Sequence, residues 1–213
     1  VETLGSTSAI CSDKTGTLTL NKMTARELII PGPGNVFKVS GEGYGTTGTI
    51  THTGGEQLAL DEFLLPMVLC ADASLDGESL IGDPTEGALI VLAAKGGLDI
   101  KATRQKYPRV AEVPFDSEYK FMATFHNMTA ADGKPVVRCF VKGAPDVIIG
   151  RSGSYWLPDG QVMPITEDNR HLALTENERI AQAGERVMVV ARRDFDAQSF
   201  DPKSKLLDQV KDL

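Results

Sequence analysis

The residues best suited to chemistry lie in one short segment, CSDKTGTLT at 11–19. An apolar run ends just before Asp13, and Gly16 indicates a tight turn directly after it. A strand-end carboxylate beside hydroxyls and backbone N–H groups can attack a phosphoryl group and have its oxygens held in place. The plain alternative is an Asx turn that closes a strand. The combination of residue types favours a phosphorylated aspartate.

The longer segment VETLGSTSAICSDKTGTLTLNKMT at 1–24 resembles the phosphorylation segment of P-type cation-transporting ATPases, most closely the calcium-pump-like branch. The resemblance implies that Asp13 takes the γ-phosphate of ATP. It also implies that Mg²⁺ is bound by Asp13 and the carbonyl of Thr15. Phosphatases of the same superfamily carry a second Asp at the position of Thr15, which cannot readily shuttle a proton. We therefore expect a long-lived aspartyl phosphate, as an ion pump requires.

Three further segments resemble motifs of this family and follow the family's order. They are GDPTEGAL at 82–89, F-x-x-x-x-K-x-M at 115–122 and KGAP at 142–145. The chain has no G-x-x-x-x-G-K-[ST] loop, so ATP would bind through a stacked base and scattered cations. The resemblance implies that Phe115 stacks on adenine, that Glu86 faces its amino group, and that Lys142 lines the pocket.

The resemblance assigns the remaining nucleotide contacts as well. Gly143 would let the base approach the main chain, and Lys120 and Arg186 would steer the phosphates, a task that suits the planar guanidinium. Many members carry further basic residues where this chain has Ser117 and Tyr119, so we expect a thinner phosphate cradle.

Each of these residues also has a structural interpretation. Phe115 on a strand is typical of a core residue, and Arg186 of an exposed strand end. Asp83, Pro84 and Glu86 have the spacing of a helix N-cap with a capping box.

Composition narrows the function classes. The 213 residues carry a net charge of −7, which argues against nucleic acid and anionic membrane surfaces as partners. The longest apolar run, at 63–71, is interrupted by Pro66 and is too short to cross a bilayer. The three cysteines and three histidines lack the spacing of a zinc site. Because the chain starts at Val1 without Met, we expect a fragment of a longer protein.

The pattern predicts an α+β fold, with an antiparallel twisted sheet flanked by helices and preceded by a partial α/β strand of a phosphorylation domain. We place the boundary between residues 1–20, the phosphorylation-domain segment, and 21–213, the nucleotide-binding domain. Predicted strands are RVAEVPF, KFMATFHN, PVVRCFVKG and VMVVA at 187–191, with a turn at Asp132-Gly133 and one or two hairpins within 31–57. Predicted helices are 59–74, one that follows the DPTEGALIVLAAK segment, 144–149 and 167–184, and the residues 196–213 are helix-prone.

The sequence is thus identified as a member of the P-type ATPases, with ATP and Mg²⁺ as cofactors. The resemblance implies a domain that delivers the γ-phosphate to Asp13, forming the aspartyl phosphate that drives cation transport. The implied partners are the phosphorylation, actuator and transmembrane domains of the same chain, without nucleic acid or direct membrane contact. The implied location is the cytoplasmic side of an integral protein of a bacterial plasma membrane.

We expect the fragment alone to bind ATP without turnover. Two alternatives stay open at this point. One is a non-catalytic nucleotide-binding or regulatory interaction module, and the other is a phosphatase-like enzyme of the aspartate-nucleophile superfamily.

Overall fold

The computed structural model describes residues 22–32, 34–56 and 58–213. The predicted phosphorylation strand, with Asp13 and Thr15, lies outside these residues. In chain order the elements are β1 (Glu27–Ile29), β2 (Val36–Val39), β3 (Ile50–His52), α1 (Asp61–Leu69), β4 (Ser74–Asp76), β5 (Ser79–Ile81), α2 (Pro84–Lys95), α3 (Ile100–Lys106), β6 (Arg109–Asp116), β7 (Phe121–Thr129), β8 (Pro135–Gly143), α4 (Pro145–Gly150), β9 (Ser154–Trp156), β10 (Val162–Pro164), α5 (Glu167–Gln182), β11 (Val189–Asp196) and α6 (Leu206–Gln209).

The largest sheet within the described residues is a four-stranded antiparallel one with the order β11-β8-β7-β6. It contains the predicted meander, and the turn between β7 and β8 has Gly133 at φ +83°, a left-handed conformation that glycine adopts without strain. The Ala130 N–H donates to the Lys134 carbonyl at 2.9 Å and closes that turn. The predicted antiparallel sheet with flanking helices is therefore confirmed.

Alternation along β8 divides its side chains between two cores, because successive residues of a strand point to opposite faces. Val137, Cys139 and Val141 pack in one cluster with Ile148 of α4 and with residues near the end of the chain. Phe140, between them in sequence, packs on the other face against α1. The same face carries Lys142, so α1 and its neighbour α2 cover the surface that holds the site residues.

Helix α1 ends at Leu69, five residues before the predicted end of the helix at residue 74. Pro66 lies inside the helix, and the chain leaves it at Cys70, where φ is −95° and ψ is 49°. Buried residues of α1 pack against α2 in a third cluster that includes Leu64, Val68 and Leu92.

Two other predicted elements differ in length. Strand β11 runs to Asp196 because it pairs with β8 along its full length, from Val189 opposite Gly143 to Asp196 opposite Val136. The second half of β11 is polar and still pairs in the sheet, because Asp194 binds the buried Arg138 guanidinium with an Nε–Oδ1 distance of 2.7 Å. In the helix-prone stretch 196–213, only the four residues of α6 are α-helical.

The smaller sheets are β1-β2-β3, which contains the predicted hairpin of 31–57, and the hairpins β4–β5 and β9–β10. Within the described ranges, no helix combines the length and the apolar character needed to cross a bilayer.

His126 on β7 is a buried ionisable group of this fold. Its Nδ1–H donates to the Tyr107 carbonyl at 2.8 Å, which leaves Nε2 as the lone-pair nitrogen. Nε2 is buried and has no hydrogen-bond partner in the described part of the chain. Burial lowers the pKa of His126 from its usual value, and the nearby charge of Arg109 acts in the same direction.

We predict that this histidine makes the domain less stable below about pH 6.5. Because the folded-state pKa is lowered, the unfolded chain binds the proton first as the pH falls. The contribution of His126 to the free energy of unfolding is therefore fully present above the pKa that this histidine has in the unfolded chain. It declines as the pH falls through that pKa. Urea unfolding of the wild type and of His126→Gln between pH 7.5 and 5 should show a smaller pH dependence in the variant. His171→Gln, on the exposed face of α5, should keep the wild-type pH dependence. If the free energy of unfolding depends on pH equally in all three proteins, His126 is not the group responsible.

Candidate functional site

The end of α1 presents main-chain carbonyls that its own helical N–H groups cannot satisfy. We call residues 70–73, which follow the helix, the 70–73 turn. The Cys70 carbonyl accepts from Lys142 Nζ at 2.5 Å, and the Ala71 and Ala73 carbonyls accept from Arg104 Nη2 at 2.8 and 2.9 Å. Cationic side chains thus neutralise the negative end of the helix dipole and hold the turn in place.

Glu86 binds the same turn from α2. Its Oε2 accepts from the backbone N–H groups of Asp72 and Ala73, both at 2.8 Å. Its Oε1 lies 2.5 Å from Lys142 Nζ. The two side chains are 12% and 7% exposed, so this is an ion pair largely shielded from water. Buried charges of this kind are tolerated when they are paired and hydrogen-bonded.

The hydrogen-bonding capacity of the pair is nearly exhausted. An ammonium has three N–H donors, and those of Lys142 go to the Cys70 carbonyl, Glu86 Oε1 and Met122 Sδ, the last at 3.1 Å. A carboxylate has about four acceptor sites, of which Glu86 uses three, two on Oε2 and one on Oε1. Counted over the contacts among the described residues, the pair can therefore offer one further acceptor, on Glu86 Oε1, and no further N–H donor.

The start of α2 directs Glu86 to this position. Asp83 is the N-cap, as its sequence context predicts, and its side chain accepts from Thr85 N at 2.8 Å and Glu86 N at 3.2 Å. Pro84 is the first helical residue. The Glu86 carboxylate does not complete the predicted capping box, since it turns to the 70–73 turn and to Lys142.

Phe115 lies in a β-bulge on β6. Val113 pairs with Ala123 and Asp116 with Phe121, so residues 114 and 115 stand opposite the single residue Met122. Such bulges re-aim side chains, and the Phe115 side chain is 63% exposed, unlike a core residue. Met122 pairs in turn with Lys142 of β8. Phe115, Met122 and Lys142 thus form one row across three strands, with β6 and β8 about 10 Å apart.

The two cations predicted to meet phosphate are both exposed. Lys120, with φ of +55°, ends the turn before β7, and its Nζ lies 3.8 Å from Asp146 Oδ2. Arg186 Nη1 donates to Thr85 Oγ1 at 3.2 Å, which places it at the start of α2 beside Glu86. Among the predicted site residues, Glu86 contacts Lys142 directly. Arg186 contacts Thr85, the residue before Glu86.

Gly143 has a structural reason for lacking a side chain. A Cβ there would lie 2.5 Å from the Lys120 carbonyl oxygen and 2.6 Å from Phe121 Cβ. The close neighbour is therefore the backbone of β7. The Ala144 N–H also donates to the Lys120 carbonyl at 3.1 Å, so this contact fixes the position of Lys120.

Sequence reasoning missed the 70–73 turn and Arg104. Their roles depend on main-chain groups, which any residue type supplies, so no side-chain pattern marked them. Among the residues that the structure describes, no cluster of three His, Cys, Asp or Glu side chains could hold a metal ion. The predicted magnesium ligands, Asp13 and Thr15, lie outside this part of the chain.

We predict that Glu86→Ala destabilises the domain by about 3–5 kcal/mol, because it leaves the buried Lys142 ammonium without its counter-charge. Asp83→Ala, three residues earlier, removes only the cap and should cost about 0.5–2 kcal/mol. Urea denaturation of both variants measures the difference. A Glu86→Ala cost no larger than that of Asp83→Ala would show that the ion pair does not hold the turn.

We also predict that Gly143→Ala destabilises the domain by about 1–3 kcal/mol through overpacking against β7. Gly153→Ala is the matched control, because a Cβ there meets nothing within 4 Å. Thermal unfolding measures the melting temperatures of the two variants. Equal melting temperatures would contradict the close approach of Gly143 to the backbone at the start of β7.

Known proteins resemble this chain along most of its length. The family pattern described as "P-type ATPase, cytoplasmic domain N" matches residues 59–212. The cation-transporting ATPase pma1 of Synechocystis is 38% identical over 208 residues, covering 91% of this chain and 22% of that protein. Calcium-transporting ATPase 1 of Lactococcus lactis is 41% identical over 192 residues, covering 90% and 20%. The human calcium-transporting ATPase type 2C member 1 is 39% identical over 199 residues, covering 90% and 21%.

The chain thus spans about a fifth of the length of the curated relatives that it matches. The matched family region includes α1, α2 and the whole four-stranded sheet. This chain belongs to the P-type ATPases and contains their cytoplasmic domain N.

Proposed function

We propose that this domain binds ATP on the surface between Phe115 and the Lys142–Glu86 pair. Within a longer P-type ATPase it would then deliver the γ-phosphate to Asp13. The observation that carries the proposal is an exposed aromatic ring, Phe115, in the row of residues that crosses β6, β7 and β8 to the buried Lys142. The partner of Lys142 is Glu86, which keeps one acceptor free among the described contacts. We assign residues 21–213 to this nucleotide-binding unit and residues 1–20 to the phosphorylation domain.

Adenine recognition divides between two groups. The Phe115 ring offers a flat apolar surface for stacking on the base, which is worth about 1–3 kcal/mol. The free acceptor on Glu86 Oε1 suits the exocyclic amino group of adenine, which is a donor. Lys142 lines the pocket and holds Glu86, and its own donors are engaged with protein groups.

The phosphates would meet the exposed cations Lys120 and Arg186. These charges act locally, since the whole chain carries a net charge of −7. Tyr119 occupies one of the positions where many members carry a basic residue, and its hydroxyl donates to the Pro114 carbonyl at 2.6 Å. It therefore supports the bulge that presents Phe115. With one stacked base and two exposed cations, we expect a dissociation constant of about 0.1–1 mM.

Phosphoryl transfer would require this domain to close onto Asp13, so that occupancy of the transport site can gate the chemistry. Magnesium, held by Asp13 and the Thr15 carbonyl, would neutralise charge on the transferred phosphate.

We further propose that the complete protein transports a cation, with calcium favoured by the names of the relatives. Its bacterial relatives favour a bacterial plasma membrane. The domain alone would bind ATP without turning it over.

We predict that Phe115→Ala weakens ATP binding by about 5- to 150-fold, the equivalent of one stacked base. Isothermal titration calorimetry with ATP measures this change. Because Phe115 is exposed, the variant should unfold at the wild-type urea concentration.

The matched control is Leu172→Ala, which removes an exposed hydrophobic side chain from α5, where Leu172 is 72% exposed. Its ATP affinity should equal that of the wild type. Unchanged affinity in Phe115→Ala, or an equal loss in both variants, would contradict the assignment of Phe115.

A further inference from the structure

Arg104 of α3 binds three main-chain carbonyls at the end of α1. Its Nε donates to Val68 at 3.1 Å, and its Nη2 donates to Ala71 at 2.8 Å and to Ala73 at 2.9 Å. The guanidinium therefore spans both the last helical turn and the 70–73 turn. Its planar fork of five donors suits several carbonyls that lie in different directions.

The turn that Arg104 holds is the one that positions Glu86. The carbonyls of Ala71 and Ala73 face Arg104, while the N–H groups of Asp72 and Ala73 face Glu86 Oε2. The peptide between Ala71 and Asp72 contributes its carbonyl to one side and its N–H to the other. Because a peptide group is planar, a rotation that breaks the bond to Arg104 also moves the N–H away from Glu86.

Besides Arg104 and Lys142, a third cation reaches the turn less directly. Arg109 Nη2 lies 3.4 Å from the Ala71 carbonyl, and its Nη1 pairs with the exposed Asp72 carboxylate at 2.8 Å. Burial lowers the pKa of Arg104 and the charge of Arg109 lowers it further, whereas the charges of Glu86 and Asp72 oppose that shift. Of the two arginines, Arg104 makes the shorter bonds to the turn's carbonyls.

We propose that Arg104 is a positioning residue for base selection: by holding the 70–73 turn it fixes Glu86, whose free acceptor favours adenine over guanine. The inference rests on the proposed function. Adenine presents an amino donor where guanine presents a carbonyl, and a carboxylate acceptor held in place repels that carbonyl. When the turn is released, Glu86 keeps its charge but loses the two N–H groups that orient it. The preference for adenine over guanine should then fall. Stacking on Phe115, which both purines can use, is retained.

The test compares Arg104→Met and Arg104→Lys with the wild type in titrations with ATP and with GTP. We expect Arg104→Met to reduce the ratio of GTP to ATP dissociation constants about tenfold, as for a lost hydrogen bond to a charged group. The amide resonances of Asp72 and Ala73 should move upfield in the same variant, because those N–H groups no longer donate to a carboxylate. Arg104→Lys, which keeps the charge without the fork, should lose part of the selectivity.

Arg170→Met is the matched control. Arg170 also binds helix-end carbonyls, donating to Ile149 and Ser152, but it does so between α4 and α5. This variant should lose stability in urea and keep the wild-type nucleotide ratio. If Arg104 has a structural role alone, Arg104→Met will likewise lose stability in urea and keep the wild-type nucleotide ratio.

The outcomes separate the two proposals. A wild type that binds neither nucleotide overturns the proposed function and, with it, this inference. A wild type that prefers ATP, with folded Arg104→Met showing the same preference, overturns the inference alone. If Arg104→Met does not fold, Arg104→Lys decides: a reduced preference supports the inference and an unchanged one overturns it.

Discussion

The buried ammonium of Lys142 is the constraint on which the rest of the site depends. A charge in that position must be neutralised and hydrogen-bonded, and its three partners come from different parts of the chain. Glu86 belongs to α2, the Cys70 carbonyl follows α1, and Met122 lies on the neighbouring strand. Satisfying one side chain of β8 therefore joins two helices to the central sheet. The pair serves as a structural junction as well as a wall of the proposed site.

This junction gives the proposed nucleotide site a rigid inner part and an exposed rim. Glu86 and Lys142 are held by groups that are themselves hydrogen-bonded, the arrangement that precise recognition requires. Phe115, Lys120 and Arg186 are exposed and can meet a ligand without uncovering the core. The bulge on β6 connects the two parts, because it places Phe115 in the row of Met122 and Lys142.

Features with a local cause could be predicted from the sequence. Short runs of strand-forming residues predicted β6, β7 and β8, and Asp83-Pro84 predicted the start of α2, because strand and cap signals lie within a few residues. Features with a distant cause could not. Helix α1 ends early at a turn whose carbonyls bind Arg104 and Lys142, and β11 is extended by pairing with β8. The close approach of Gly143 to Lys120 and Phe121, at the start of β7, could not be predicted either, because it depends on strand pairing.

The most direct test of the account is an amide-resolved NMR titration of the wild-type domain, first with ATP and then with GTP. We predict saturable shifts centred on Phe115, Met122, Lys142 and the 70–73 turn, with GTP saturating at higher concentration. The α4–α5 region should remain unaffected. Shifts centred away from this row, or no saturable shifts at several times about 1 mM, the upper end of the expected range of dissociation constants, would contradict the proposed site.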